Sequence, residues 1–110
     1  MKIIICGAGR VGISIAEHLS TEDNDITVID SNNESLQKIT ELYDVRGVYG
    51  LASHQNVLND AGIADAEMII AVTDSDEVNI IACQICNLVY KTPTKIARIR
   101  SREYLNDNFL

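Results

Sequence analysis

Positive charge is scarce in this chain. Nine lysines and arginines stand against sixteen aspartates and glutamates over 110 residues, a formal net charge of −7. Without a basic surface to meet a phosphate backbone, nucleic acid is excluded as the natural partner, and so is direct adhesion to an anionic membrane. Long apolar runs are missing as well. None approaches the roughly 20 residues that span a bilayer, which argues against direct membrane insertion. The run Ile3-Ile4-Ile5-Cys6 is too short for the apolar segment of a signal peptide and leads straight into a glycine turn, so a cytoplasmic location is expected. Cysteines number three, as suits a reducing compartment. Cys83 and Cys86 form a C-x-x-C, but redox use needs a helix N-terminus beside the thiol. A zinc site needs two further ligands, and only His18 and His54 are available, both expected at the surface. The pair reads as two small apolar residues on a buried helix, and no metal site is expected. No linker, repeat or low-complexity stretch divides the chain, which leaves one domain with one core.

Against these absences stands a dense signal at the start. Lys2-Ile3-Ile4-Ile5-Cys6 is an apolar strand, and Gly7-Ala8-Gly9-Arg10-Val11-Gly12 is a G-x-G-x-x-G turn. A helical pattern follows, then a second strand, Ile26-Thr27-Val28-Ile29-Asp30. Its terminal carboxylate lies 18 residues beyond Gly12, close to the spacing of a dinucleotide-binding βαβ unit. Gly7 permits the tight turn, Gly9 admits the backbone to a pyrophosphate, and Gly12 allows the helix to pack on the strand. The helix N-terminus presents unpaired N–H groups to the phosphates. Asp30 is placed to accept hydrogen bonds from ribose hydroxyls.

The remaining pattern alternates. Helices are expected over 10–20, 33–43, 54–61 and 75–90, and strands over 45–49, 67–73 and 95–100, with another helix beginning at 102. In the fourth helix, Val78, Ile81, Ala82, Ile85 and Val89 fall at helical spacing. The alternation predicts a Rossmann-like, doubly wound parallel sheet of order 3-2-1-4-5, with helices on both faces. The ligand edge lies at the carboxyl ends of the strands, where order reverses between strands one and four. Residues 1–100 are expected to form the nucleotide-binding domain, and 101–110 to begin a helix leading to a missing remainder.

Few side chains at that edge carry chemistry. Arg10 is a candidate for bidentate phosphate contact. Residues 31–33 contain no Arg or Lys, so a 2′-phosphate would meet Asp30 uncompensated, which disfavours NADP relative to NAD or adenosine nucleotides. Thr73 and Asp74 follow the fourth strand at the switch point and are candidate nucleotide contacts, while Ser75 or Asp74 can cap the next helix. Asp74, Asp76 and Glu77 read as helix-dipole partners rather than a cation site. Arg98 and Arg100 are expected on one face of the fifth strand, supplying charge beside the phosphates. No nucleophile is paired with a base, and there is no substrate domain, so an enzyme is not expected.

Several stretches make the pattern more specific. Cys6–Gly12, Gly50-Leu51-Ala52-Ser53-His54, Val57-Leu58 with Ala61-Gly62, and Asp65–Glu77 resemble the regulatory subunit of Trk-type potassium uptake systems, a family similar to the RCK/KTN domains of potassium channels and transporters. Ala82-Cys83-Gln84, Thr92–Ser101 and Glu103-Tyr104-Leu105 extend the resemblance over nearly the whole chain. It implies a cytoplasmic, peripheral protein that binds NAD(H) or ATP/ADP, docks on a potassium-translocating membrane subunit, assembles as a homo-oligomer and gates potassium flux. It further implies that Gly7, Ala8, Gly9, Arg10, Val11, Asp30, Thr73, Asp74 and Arg98 are nucleotide ligands, beside Gly12 of the turn. The alternative is the cofactor-binding domain of an NAD-dependent dehydrogenase.

Overall fold

Successive isoleucines in the first strand decide how this chain folds. In β1 (Lys2–Cys6), Ile3 and Ile5 enter one apolar cluster while Ile4 and Cys6 enter another on the opposite face of the sheet. All four are buried, each isoleucine contributing ~1.5–3 kcal/mol. A strand apolar on both sides needs helices over both, and the rest of the chain supplies them. The structure, a computed structural model, describes residues 1–105. After β1 come α1 (Arg10–Leu19), β2 (Asp25–Asp30), α2 (Asn33–Leu42), β3 (Arg46–Tyr49), α3 (Gln55–Asp60), β4 (Met68–Ala71), α4 (Asp76–Ile85) and β5 (Thr94–Ala97).

The strands form one parallel sheet in the order β3-β2-β1-β4-β5, as the alternation predicts. Ile4 sits between Thr27 of β2 and Ile69 of β4. Ala16 of α1 and Leu36 and Ile39 of α2 cover the face of Ile3 and Ile5. Val57 and Leu58 of α3 and Ala82 of α4 cover the face of Ile4 and Cys6. The order reverses between β1 and β4, which opens a crevice at the carboxyl ends of the strands. No helix among the described residues is long and apolar enough to cross a membrane.

Four expectations need correction. β4 stops at Ala71 rather than residue 73, because the Thr73 N–H turns to the Asn79 side chain at 2.9 Å. β5 stops at Ala97 rather than residue 100: the Arg98 carbonyl accepts from Asn79 Nδ2 at 2.9 Å, and the Asp76 carboxylate takes the Arg100 and Ser101 N–H groups. The fourth helix is not uniform to residue 90. It passes at Cys86 into a π-helical stretch, Cys86–Tyr90, which ends at Lys91 in the left-handed region with φ 55°. Its buried stripe is Asn79, Ala82 and Cys86, whereas Ile81 and Val89 are exposed. Ala82 and Cys86 of that stripe, flanked by the half-buried Val78, Cys83 and Ile85, pack against the core on that face of the sheet. A short 3-10 turn, Ile63–Asp65, follows Gly62 and is not signalled by periodicity. The helix expected from residue 102 appears as turns over 102–105, and its remainder, with Phe109 and Leu110, lies outside the described residues.

Candidate functional site

The glycine turn joins β1 to α1 and forms the floor of the crevice. Gly7 adopts φ +113°, a conformation that L side chains rarely adopt, and its N–H donates to the Ile29 carbonyl at 2.8 Å. A Cβ at Gly7 would also lie 2.8 Å from the Val72 carbonyl oxygen. Gly12 is needed for a different reason: a Cβ there would lie 1.8 Å from the Gly7 carbonyl oxygen, where α1 crosses the turn. Gly9 differs from both. A Cβ built on it meets nothing within 4 Å, and its φ of −80° is ordinary. Neither packing nor backbone conformation within this chain requires glycine at position 9.

Gly9 is also the N-cap of α1. It provides no side-chain cap, and the first turn holds no acidic residue. The first N–H groups of the helix lack intrahelical partners and carry the positive end of its dipole. Arg10 stands exposed beside them. The arrangement suits an anion approaching along the backbone of Gly9 and Arg10.

Asp30 ends β2 at the next position along the crevice. One carboxylate oxygen accepts from the Ala8 N–H at 2.7 Å, and the other from the Asn32 N–H at 2.7 Å. It therefore does not cap α2, a role taken by Asn32, whose Oδ1 accepts from the Ser35 N–H at 3.0 Å. A carboxylate has about four lone-pair sites, so each oxygen retains acceptor capacity while its orientation is fixed by the backbone. That geometry suits a pair of vicinal hydroxyls.

Beyond Gly7 lies the wall formed after β4 and β5. Ser75 caps α4, its Oγ accepting from the Val78 N–H at 3.2 Å. Asp74 is exposed at the lip, and Arg98 is half-buried in the wall. Arg100, expected on the same face as Arg98, does not line the crevice, and its guanidinium donates to the Asp74 carbonyl. The backbone N–H groups of Arg100 and Ser101 hold the Asp76 carboxyl below its ordinary range, with lesser help from the Arg100 and Arg98 charges.

Together these elements enclose a cleft of about 500 Å³, within the range of small-molecule sites. Of the expected residues, Gly7, Gly9, Arg10, Val11, Asp30, Thr73, Asp74 and Arg98 line it. Ala8 and Gly12 do not: Ala8 is buried with its N–H spent on Asp30, and Gly12 is pressed against Gly7. His54 is exposed at the N-cap of α3, outside the cleft lining. The residues after Gly50 fall on the predicted ligand edge, but no side-chain contact is expected from Leu51 or Val78; with Ala52 and Val72 they form an apolar part of the lining. Leu51 and Ala52 have a positional signal, since they follow the carboxyl end of β3. Asn79 is missed as well, although an amide in the small-residue stripe of α4 is itself a signal. Among the described residues no group of three or more His, Cys, Asp or Glu is placed to hold a metal. The three cysteines are free thiols. Burial pushes Cys6 and Cys83 up, Cys83 to about 11, which disfavours the nucleophilic thiolate.

Residues 3–108 match the family model of the TrkA-N domain. The chain belongs to the TrkA-N domain family. A Trk system potassium uptake protein TrkA from Haemophilus influenzae is 53% identical over 107 residues, covering 97% of this chain and 23% of that protein. This TrkA-N domain thus spans about a quarter of that relative's length. Among solved structures, the AMP-bound Kef C-terminal domain of Shewanella denitrificans superposes with a TM-score of 0.80 at 23% identity, covering 99% of this chain and 68% of that one, and so shares the fold. The GsuK channel bound to NAD superposes with a TM-score of 0.73 at 25% identity, over 84% of this TrkA-N domain and 17% of the channel chain.

Proposed function

We propose that this TrkA-N domain is a non-catalytic sensor that binds NAD(H) or ATP/ADP and regulates a potassium-translocating membrane subunit from its cytoplasmic side. The observation that carries the reading is Gly9. Gly7 and Gly12 are explained by the chain's own packing, whereas Gly9 borders open space in the cleft, where a group approaching its backbone would have room. A pyrophosphate at the α1 N-terminus fits that space, and the spare acceptor capacity of Asp30 fits the ribose. Relatives named Trk system potassium uptake protein TrkA, and the NAD-bound GsuK channel, support the link between this fold, a nucleotide and potassium transport.

In this reading the Gly9–Arg10 backbone and the Arg10 guanidinium hold phosphate, Asp30 orients the ribose, and Thr73, Asp74 and Arg98 meet the rest of the ligand. The nucleotide supplies no reaction here. It supplies a difference in affinity between arrangements of the assembly, without which no population shifts. Exposed Ile81, Leu88, Val89 and Ile96 support assembly as a homo-oligomer.

The test pairs two substitutions. Gly9→Ala should cost the fold no more than about 1 kcal/mol, the difference between glycine and alanine at an N-cap, yet weaken NAD and ATP tenfold or more by calorimetry. Gly12→Ala, forced against backbone, should destabilise by about 1–3 kcal/mol or more in denaturant unfolding. Unchanged affinity in a folded Gly9→Ala protein refutes the nucleotide assignment.

A further inference from the structure

Asn79 is completely buried and lies outside the cleft lining. An amide withdrawn from water in this way is costly unless every group is bonded, and here every group is. Oδ1 accepts from the Thr73 N–H at 2.9 Å and from the Thr73 hydroxyl at 2.7 Å. Nδ2 donates to the Thr73 carbonyl at 3.2 Å and to the Arg98 carbonyl at 2.9 Å. One side chain on α4 therefore grips the residues that leave two neighbouring strands.

Both of those residues line the cleft. The Thr73 hydroxyl also accepts from the Ser75 N–H at 3.2 Å, so its backbone and side chain are engaged together. The Arg98 backbone is held at both ends: its N–H donates to the Ala71 carbonyl at 2.9 Å and its carbonyl is held by Asn79. Its guanidinium therefore swings from a fixed root. Asp30 lies at the end of β2, on the other side of β1 from these two. A ligand with its ribose at Asp30 and its first phosphate at the glycine turn reaches Thr73 and Arg98 only with the groups it carries beyond that phosphate.

We infer that Asn79 is the positioning residue for this far wall, fixing Thr73 and Arg98 so that the cleft distinguishes long adenosine ligands from short ones. The inference rests on the nucleotide reading above. The amide has a structural duty, since it satisfies the Thr73 N–H and the Thr73 and Arg98 carbonyls, backbone groups that would be stranded without it. What the amide adds to that duty is direction, through four hydrogen bonds of fixed geometry.

The experiment measures ligand-length selectivity. AMP, ATP and NAD are titrated against the wild-type chain, Asn79→Ala and Asn79→Ser by calorimetry, with circular dichroism and thermal melts establishing that each protein is folded. The serine variant retains a hydroxyl for Thr73 and serves if the alanine variant does not fold. AMP affinity should stay within twofold of wild type while ATP and NAD weaken tenfold or more. Equal weakening of all three ligands, or of none, overturns the inference, and so does failure of both variants to fold, which would make Asn79 a core residue only. A folded wild-type chain that binds neither AMP nor NAD refutes the underlying nucleotide reading instead, before any variant is examined.

Discussion

At the scale of single residues, Asp30 carries two duties that one substitution separates. Asp30→Ala removes acceptors from the proposed ribose and also strands the N–H groups of Ala8 and Asn32. Binding of NAD and of ATP should fall by about 1–3 kcal/mol, read by calorimetry. Asp30→Asn keeps an acceptor for one backbone N–H and should lose less. Wild type should bind NAD more tightly than NADP, since no cation stands at 31–33 beside the carboxylate. Glycine spacing and the Asp30 position are legible in sequence because their partners are local or set by one crossover. Asn79 is not: its deciding partner, the Arg98 carbonyl, lies 19 residues on, just past the end of β5. An isolated amide in an otherwise apolar stripe announces that something is bonded there without naming it.

Elements are legible in number and order, and illegible at their ends. Hydropathy places the central strands because β1, β2 and β4 are buried on both faces, while the largely exposed edge strands β3 and β5 are placed by the alternation of elements. The ends of β4 and β5 depend instead on Asn79 and Asp76, side chains of α4 that capture backbone groups which the strand ladder would otherwise use. Asp76 makes this dependence testable by pH. Its carboxyl is held low by the Arg100 and Ser101 N–H groups, so the stabilisation is present above the ordinary carboxylate pKa and is lost as pH falls through the lowered value. The amide resonances of Arg100 and Ser101 should hold steady through the usual aspartate range and move together only at lower pH. Asp76→Asn should move them at neutral pH and flatten that acid transition. Ile81 and Val89 carry the same lesson for helices. Periodicity groups apolar residues on a face without fixing which part of the face meets the sheet, and here the small residues do.

For the whole molecule, strand order is readable because parallel βαβ crossovers and a glycine turn after the first strand leave few alternatives. The proposed function involves a membrane partner. On that reading, the protein reconstituted with a potassium-translocating subunit in liposomes should change flux on addition of NAD(H) or ATP/ADP without consuming them. Arg10→Ala should blunt that response more than the basal flux. Hydride transfer to a metabolite, or flux indifferent to every nucleotide, would contradict the sensor. With a net charge of −7, the domain alone should not be retained by protein-free anionic vesicles in a sedimentation assay.

The position of β1 between β2 and β4 has a consequence for synthesis. Ile3 leaves the ribosome well before its partner Met68. At ordinary elongation rates the delay is roughly 3–13 s. Throughout that interval Ile3, Ile4 and Ile5 are paired on one side at most, a β-prone segment without charge and without its second neighbour. The newborn chain therefore depends on early docking of α1 and α2, which cover the face of Ile3 and Ile5. The opposite face, that of Ile4 and Cys6, waits for α3 and α4 and is the one a chaperone would meet.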